Sequence, residues 1–132
     1  MMEDTMARVS INVGRKHQNP IPNACRIGSL VMSSVIVGTD PETGDLPDDL
    51  SSQCANMFRN MVQIAQTAGG STDDIIKMTV WLLDLNDRAA LNRDWLQMFP
   101  DPETRPARHA LSHVGNPAHR ILCDFTMVIG AR

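Results

Sequence analysis

The segment from Ser51 to Ala68 constrains the fold more than any other stretch of this chain. Its apolar positions, Cys54, Met57, Phe58, Met61, Ile64, Ala65 and Ala68, recur every three or four residues and so fall on one face of a helix. Gly69-Gly70 follows at once, and glycine readily takes the left-handed conformation in which helices often end. A helix with one apolar face needs an apolar surface to lie on. The flanking sequence supplies it as strands.

Ile75 to Leu83 is short, evenly apolar and rich in β-branched and large side chains, which predicts a buried strand. Ser29 to Val37 reads as another strand, with shorter ones at Val9 to Val13 and Ala24 to Gly28. Thr39-Asp-Pro-Glu-Thr-Gly44 between strand and helix has turn chemistry. A second helical spacing, Leu91, Trp95, Met98 and Phe99, lies behind Asp87 as a cap and ends at Pro100. Arg108 to Val114 and Ile121 to Ile129 read as two final strands joined through Gly115-Asn116-Pro117-Ala118, a hairpin-like loop.

The 132 residues show no break in composition and fit a single domain over 1–132, with residues 1–8 as a flexible N-terminus. The order of elements predicts an α/β (α+β) fold, a mixed sheet with two helices packed on one face. The last two strands carry apolar side chains at both parities, so the other face of the sheet also needs a cover. A symmetric oligomer would provide one.

The formal charge is −3, from 12 basic and 15 acidic side chains, so there is no global positive field to hold phosphates and no expectation of a nucleic-acid partner. Acids gather at Asp40, Glu42, Asp45, Asp48 and Asp49, whereas Arg105, Arg108, Arg120 and Arg132 face only Asp124 near the C-terminus. A small anion suits the second region. The three cysteines, Cys25, Cys54 and Cys123, are odd in number, lack close pairing and follow no signal or long apolar run, which points to a reducing cytoplasm without a membrane anchor. His109 and His113 would share one turn of a helix, but on a strand they stand about 13 Å apart, too far for one metal ion. Neither a metal nor another cofactor is expected.

Several motifs stand in a fixed order. They are Ile27-Gly28 leading into Ser33-Ser34, the loop Asp40 to Gly44, Gln53, Ala68-Gly69 and Asp74-Ile75-Ile76-Lys77-Met78-Thr79-Val80. Leu83-Asp84-Leu85-Asn86-Asp87, Asn92 ahead of Trp95 and Phe99, and Pro106-Ala107-Arg108 complete them. In this order and spacing, from Pro20 to Ile129, the chain resembles the reactive intermediate deaminase (Rid, or YjgF) family, also described as endoribonuclease L-PSP or translation inhibitor. The resemblance implies a chorismate-mutase-like fold and a homotrimer with ligand clefts between subunits. It further implies hydrolytic deamination of small imine or enamine carboxylates of the 2-aminoacrylate or 2-iminopropanoate type, releasing ammonia and a keto acid without a cofactor.

By the same resemblance Arg108 grips the substrate carboxylate, a role that suits a planar guanidinium that keeps its charge. Ser34, Val35, Asn92, Ala110 and Ile21 are placed around the substrate. Members that hydrolyse imines carry a Glu on the last strand that polarises water. One extra residue in the loop before Ile121 puts Asp124 at that position, and a gap-free alignment puts Cys123 there. Strand alternation favours Asp124, because Cys123, Phe125 and Met127 share one face, and with Phe125 against the helices Asp124 points outward. A carboxylate is also a better proton acceptor here than a thiol.

The chain departs from the family pattern in three places. It has no tyrosine, so the family's tyrosine over the cleft is missing, with Ile21 or Pro22 near its place. The early Ser-Gly pair is Ser34-Val35, and Asp124 is one methylene shorter than Glu. These departures point to a different substrate, or to a trimeric small-carboxylate-binding regulatory protein without turnover. A ribonuclease or translation-inhibitor role ranks last, because the chain is acidic and lacks a basic stripe interleaved with aromatics.

Overall fold

The computed structural model describes residues 7–14 and 19–130. Most of the N-terminus expected to be flexible, residues 1–6, lies outside them. The strongly periodic segment is helix α1, Leu50–Thr67. Asp49 caps it, its carboxylate accepting from the Ser52 N–H at 2.9 Å and so satisfying a donor the first turn leaves open. At the other end Gly69 takes φ 101°, and the Gly70 N–H reaches back to the Ala65 carbonyl at 3.0 Å. The Arg26 guanidinium donates to the Ala68 carbonyl at 2.9 Å and closes that terminus.

The strands are β1 (Val9–Ile11), β2 (Ala24–Ile27), β3 (Leu30–Ser33), β4 (Ile36–Val37), β5 (Ile75–Leu82), β6 (Ala107–Ser112) and β7 (Ile121–Val128). Helix α2, Ala89–Met98, connects β5 to β6. All the strands belong to one sheet in the order β1-β2-β3-β7-β5-β6, with β4 also paired to β7. Only β5 and β6 run parallel, so the sheet is mixed and the fold is α+β with two helices. One core joins the apolar faces of α1 and α2 to Met78 and Val80 of β5 and to Cys123, Phe125 and Met127 of β7. Both helices therefore cover the same side of the sheet.

Three local expectations need correction. The final two strands are not a hairpin, because β5 lies between them, pairing parallel with β6 and antiparallel with β7. Helix α2 brings the chain back so that β6 joins the outer side of β5, and the Gly115–Ala118 loop then passes over the end of β5 to its other side. Loop chemistry marks the turn, but packing chooses the partner.

The strand expected over Ser29 to Val37 is broken in two. Met32 pairs with Thr126 and Ile36 with Cys123, which leaves Ser33, Ser34 and Val35 opposite Asp124 and Phe125 alone, a bulge. The Phe125 N–H that loses its ladder partner there donates to the Ser33 hydroxyl at 2.9 Å. The third correction concerns α2, whose N-cap is Arg88, with no side-chain cap, rather than Asp87. The Asp87 N–H closes the preceding turn on the Asp84 carbonyl at 3.0 Å instead.

Among the described residues, none of the helices covers the other face of the sheet. Ile27, Leu30 and Met32 are 42%, 44% and 56% exposed. No helix among the described residues is long and apolar enough to cross a membrane.

Candidate carboxylate-binding site

Arg108 enters the sheet at β6, its outermost strand, opposite Met78 of β5, and therefore shares the helix-covered face. Its guanidinium carbon lies 4.9 Å from the centroid of the Trp95 ring on α2, a cation–π distance. The Arg108 Nη2 donates to the Asn92 Oδ1 at 2.9 Å, one turn earlier on the same helix. Trp95 is itself held edge-on by Phe99, with ring centroids 4.9 Å apart. The guanidinium is thus fixed in plane and direction by side chains that a packed helix holds in place.

Among the described residues no carboxylate pairs with this cation. Its Nη1 is buried with no hydrogen-bond partner, and the ion pairs among the described residues are Arg59–Glu42 and Arg93–Asp94. A buried donor left unpaired costs about 1–3 kcal/mol, more when charged, so a carboxylate placed there removes a penalty and forms a charge-assisted bond at once. Burial, followed by the positive charge of Arg88, holds the Arg108 pKa below the usual arginine value. The group still remains a cation at any physiological pH.

The other C-terminal arginines are committed to the backbone. Arg105 Nε donates to the Phe99 carbonyl at 2.8 Å, and Arg120 Nε to the Asp48 carbonyl at 2.6 Å. Arg132 lies outside the described residues. Of the basic cluster seen in the sequence, Arg108 among the described residues keeps a buried nitrogen unpaired, with Ala110 two residues along the same face of β6.

Asp124 lies elsewhere. It pairs with Thr79, and Thr79 with His109, so these three share the open face, whereas Arg108, Met78 and Phe125 share the helix face. Two strand spacings, about 10 Å, and the thickness of the sheet separate Asp124 from Arg108. Burial raises the Asp124 pKa, and Lys77 pulls it partly back. Cys123 is fully buried in the core, at 0% accessibility, and burial pushes its thiol far above the usual value. It therefore sits away from any surface a ligand could reach in this chain.

The remaining predicted positions cluster near Asp124. Ser34 and Val35 form the bulge opposite it, and Val35 borders a shallow groove with Trp81 and Leu122 on the open face. The Ser34 hydroxyl donates to the Pro22 carbonyl at 2.7 Å, which fixes the Asn19–Asn23 segment where Ile21 stands 44% exposed. A larger hollow of about 780 Å³ between that segment and α1 holds neither Arg108 nor Asp124. Its Asn60 is occupied by the Val37 and Thr39 carbonyls. The structure thus divides the predicted residues into two half-sites, Arg108 with Asn92 and Ala110, and Asp124 with Ser34 and Val35.

A raised carboxyl pKa has a sign that can be checked. A folded pKa above the unfolded value means that the native state binds the proton more tightly, so ionising Asp124 lowers stability as pH rises through that window. Asp124→Asn removes this cost. At neutral pH the variant is expected to be at least as stable as wild type, and the difference should close below about pH 4, where the unfolded carboxyl is also protonated. Urea midpoints at both pH values test this, and a variant less stable than wild type at pH 7 contradicts it.

Sequence reasoning missed Trp95, the platform under Arg108, and Arg88, whose charge acts on it after burial. Trp95 reads from its spacing as an apolar helix position and from its motif as a family mark, and composition does not single out Arg88. The signal was present in the spacing, because Arg88, Asn92 and Trp95 stand at i, i+4 and i+7, a single stripe of α2.

Known proteins share this arrangement of elements. Residues 16–116 match the family model described as Endoribonuclease L-PSP. The chain is 38% identical over 90 residues to TdcF of Escherichia coli, which is named as a reactive intermediate deaminase, covering 67% of this chain and 70% of that protein. It is 36% identical over 90 residues to the 2-iminobutanoate/2-iminopropanoate deaminase of Salmonella typhimurium, covering 67% of this chain and 70% of that one. The crystal structure of E. coli TdcF with bound serine superposes with a TM-score of 0.82 at 31% identity, over 91% of this chain and 98% of that one. With the fold, the ordered motifs and the family model in agreement, the chain belongs to the Rid/YjgF family.

Proposed function

We propose that this protein hydrolyses small imine or enamine carboxylates, of the 2-aminoacrylate or 2-iminopropanoate type, to a keto acid and ammonia. The observation that carries this reading is Arg108: a half-buried guanidinium, stacked on Trp95, held by Asn92, with a buried donor unfilled. Such a group selects a carboxylate and fixes its orientation. That relatives are named as imine deaminases, and that TdcF was crystallised with serine, a small amino carboxylate, supports the same class of ligand.

An enamine is first protonated on carbon, which gives the protonated imine. Water then forms a C–O bond to the imine carbon while the C=N π electrons move to nitrogen, which takes a proton. The carbinolamine hydroxyl gives up its proton and becomes C=O as the C–N bond breaks and ammonia leaves. Asp124 is the group for these transfers, accepting a proton from water and returning one to nitrogen. Its raised pKa suits that exchange.

Arg108 and Asp124 lie on opposite faces of one sheet, so both can reach one small molecule only if a second copy takes part. The open face of one chain would meet the β6 edge of another. Two different patches in contact make a heterologous interface, which closes as a ring, and we place three copies in it. The exposed Leu30 and Met32 give that interface an apolar centre. A second reading, a carboxylate-binding protein without turnover, draws on the Ser34 hydroxyl, which is turned to Pro22 and away from a ligand.

The test is to generate 2-aminoacrylate in situ and follow its decay, with the mass of the assembly measured by light scattering at the same concentration. Acceleration by wild type, lost in Asp124→Asn, together with a trimer mass, is the expected result. A rate equal to the spontaneous one leaves the binding reading in place, and a monomer that turns over contradicts the shared site.

A further inference from the structure

We infer that Arg88 and Arg108 together form a two-guanidinium site for a dicarboxylate, so that the natural substrate is an imine or enamine bearing a second acidic group. This deepens the proposed function and rests on it for the reaction, though not for the binding. The geometry begins with α2. Asn92 and Trp95, which hold Arg108, stand on one stripe of the helix, and Arg88 is the next position of that stripe toward the N-terminus. The Asn92 N–H donates to the Arg88 carbonyl at 2.9 Å, so the two are joined across a single turn.

Burial, and after it the charge of Arg88, lowers the Arg108 pKa. Like charges brought together without an anion repel, and neither arginine has a carboxylate at ion-pair distance among the described residues. Arg93, next to the stripe, shows the contrast, because Asp94 pairs with it at 3.0 Å. The nearby acid Asp84 is turned to the Asn86 N–H at 3.0 Å, and Arg88 holds only the Leu85 carbonyl, through Nε at 2.9 Å. Neither Arg88 terminal nitrogen has a hydrogen-bond partner among the described residues.

Ala110 follows Arg108 on the same face and is half-buried, with only a methyl group to fill the strip. One carboxylate, beside the imine carbon, fits Arg108, where Asn92 and Trp95 fix the plane. The second, at the far end of the carbon chain, fits Arg88, which is exposed and not stacked. The exposed arginine should therefore set preference more than absolute affinity.

Calorimetric titration of the full-length protein with 2-oxoglutarate and with 2-oxobutanoate at fixed ionic strength tests the site. Wild type is expected to bind the dicarboxylate about tenfold more tightly, a difference of about 1.4 kcal/mol. Arg88→Gln should bring the two affinities together, Arg88→Lys should restore part of the gap, and Arg108→Ala should abolish binding of both. Equal affinities in wild type, binding of neither acid, or displacement of 2-oxoglutarate by an equal concentration of sulfate overturns the proposal. A dicarboxylate preference in a protein that adds nothing to imine decay would reject the deaminase reading and keep the two-arginine site. Turnover of 2-aminoacrylate without the preference would do the reverse.

Discussion

Arg108→Ala is expected to reduce kcat/KM for a carboxylate imine by about 10²- to 10³-fold while leaving the fold intact. The magnitude follows from the bonds removed: two charge-assisted hydrogen bonds to one carboxylate, about 1.5–3 kcal/mol each and not fully additive, with each 1.36 kcal/mol worth tenfold in rate. The loss is not expected to extend to stability. The side chain stands on the outermost strand, and its buried Nη1 is unpaired in the free protein, so truncation removes a penalty as well as a stacking contact. A thermal midpoint equal to wild type or slightly higher, beside a collapsed rate, distinguishes a ligand-binding role from a structural one.

Arg108→Lys sharpens the comparison. Lysine keeps the charge but offers a point ammonium in place of a planar fork, so it loses the bidentate geometry and most of the alignment over Trp95. An intermediate rate is expected. A rate for Arg108→Lys equal to wild type means that charge alone matters and that the Trp95 platform is incidental. An unchanged rate for Arg108→Ala removes Arg108 from the reaction.

The legible part of this protein is the part that local chemistry determines. The face of α1, the glycine that ends it and the buried character of β5 could each be read from spacing and residue type. The alternation of β7 could be read in the same way, with Phe125 against the helices and Asp124 turned outward. What could not be read is which strand lies beside which. The Gly115–Ala118 loop looks the same whether its strands pair with each other or bracket β5, because the choice is made by the crossover through α2.

The division of the candidate site has the same origin. The resemblance makes partners of Arg108 and Asp124, and the sheet register puts them on opposite faces, a relation fixed by pairings between residues far apart in sequence. The bulge at Ser33–Val35 was equally hidden, because it arises from a mismatch of lengths between β3–β4 and β7 rather than from any turn residue. Trp95 failed for a different reason. A large apolar side chain at helical spacing is usually core, and this one is core and platform together.

Gln53 carries the largest effect expected on stability. It is fully buried on the first turn of α1, where its Nε2 donates to the Pro47 carbonyl at 2.7 Å and the Ala118 carbonyl at 2.9 Å, and its Oε1 accepts from the Arg120 N–H at 2.8 Å. One amide thereby ties the start of α1 to the loop that delivers β7, and so sets the height at which Asp124 emerges. Gln53→Leu keeps the volume but strands three backbone groups, and at about 1–3 kcal/mol for each unsatisfied group a loss of about 3 kcal/mol or more is expected. Gln53→Glu gives the decisive contrast. Its carboxylate can still accept from Arg120 but faces two carbonyl oxygens, so its folded pKa is raised, and stability is lost as pH rises from the unfolded value through the folded one. Protonation returns one donor, so Gln53→Glu should recover part of its deficit between about pH 7 and pH 5, while the deficit of Gln53→Leu stays constant. Gly38→Ala probes the same junction from the strand side, since a methyl group there would stand 2.6 Å from the Gln53 Cα and push α1 off the sheet. Urea midpoints at one protein concentration, read at both pH values, test all three. If the deficits of Gln53→Leu and Gln53→Glu run parallel with pH, the donor role assigned to this amide is wrong.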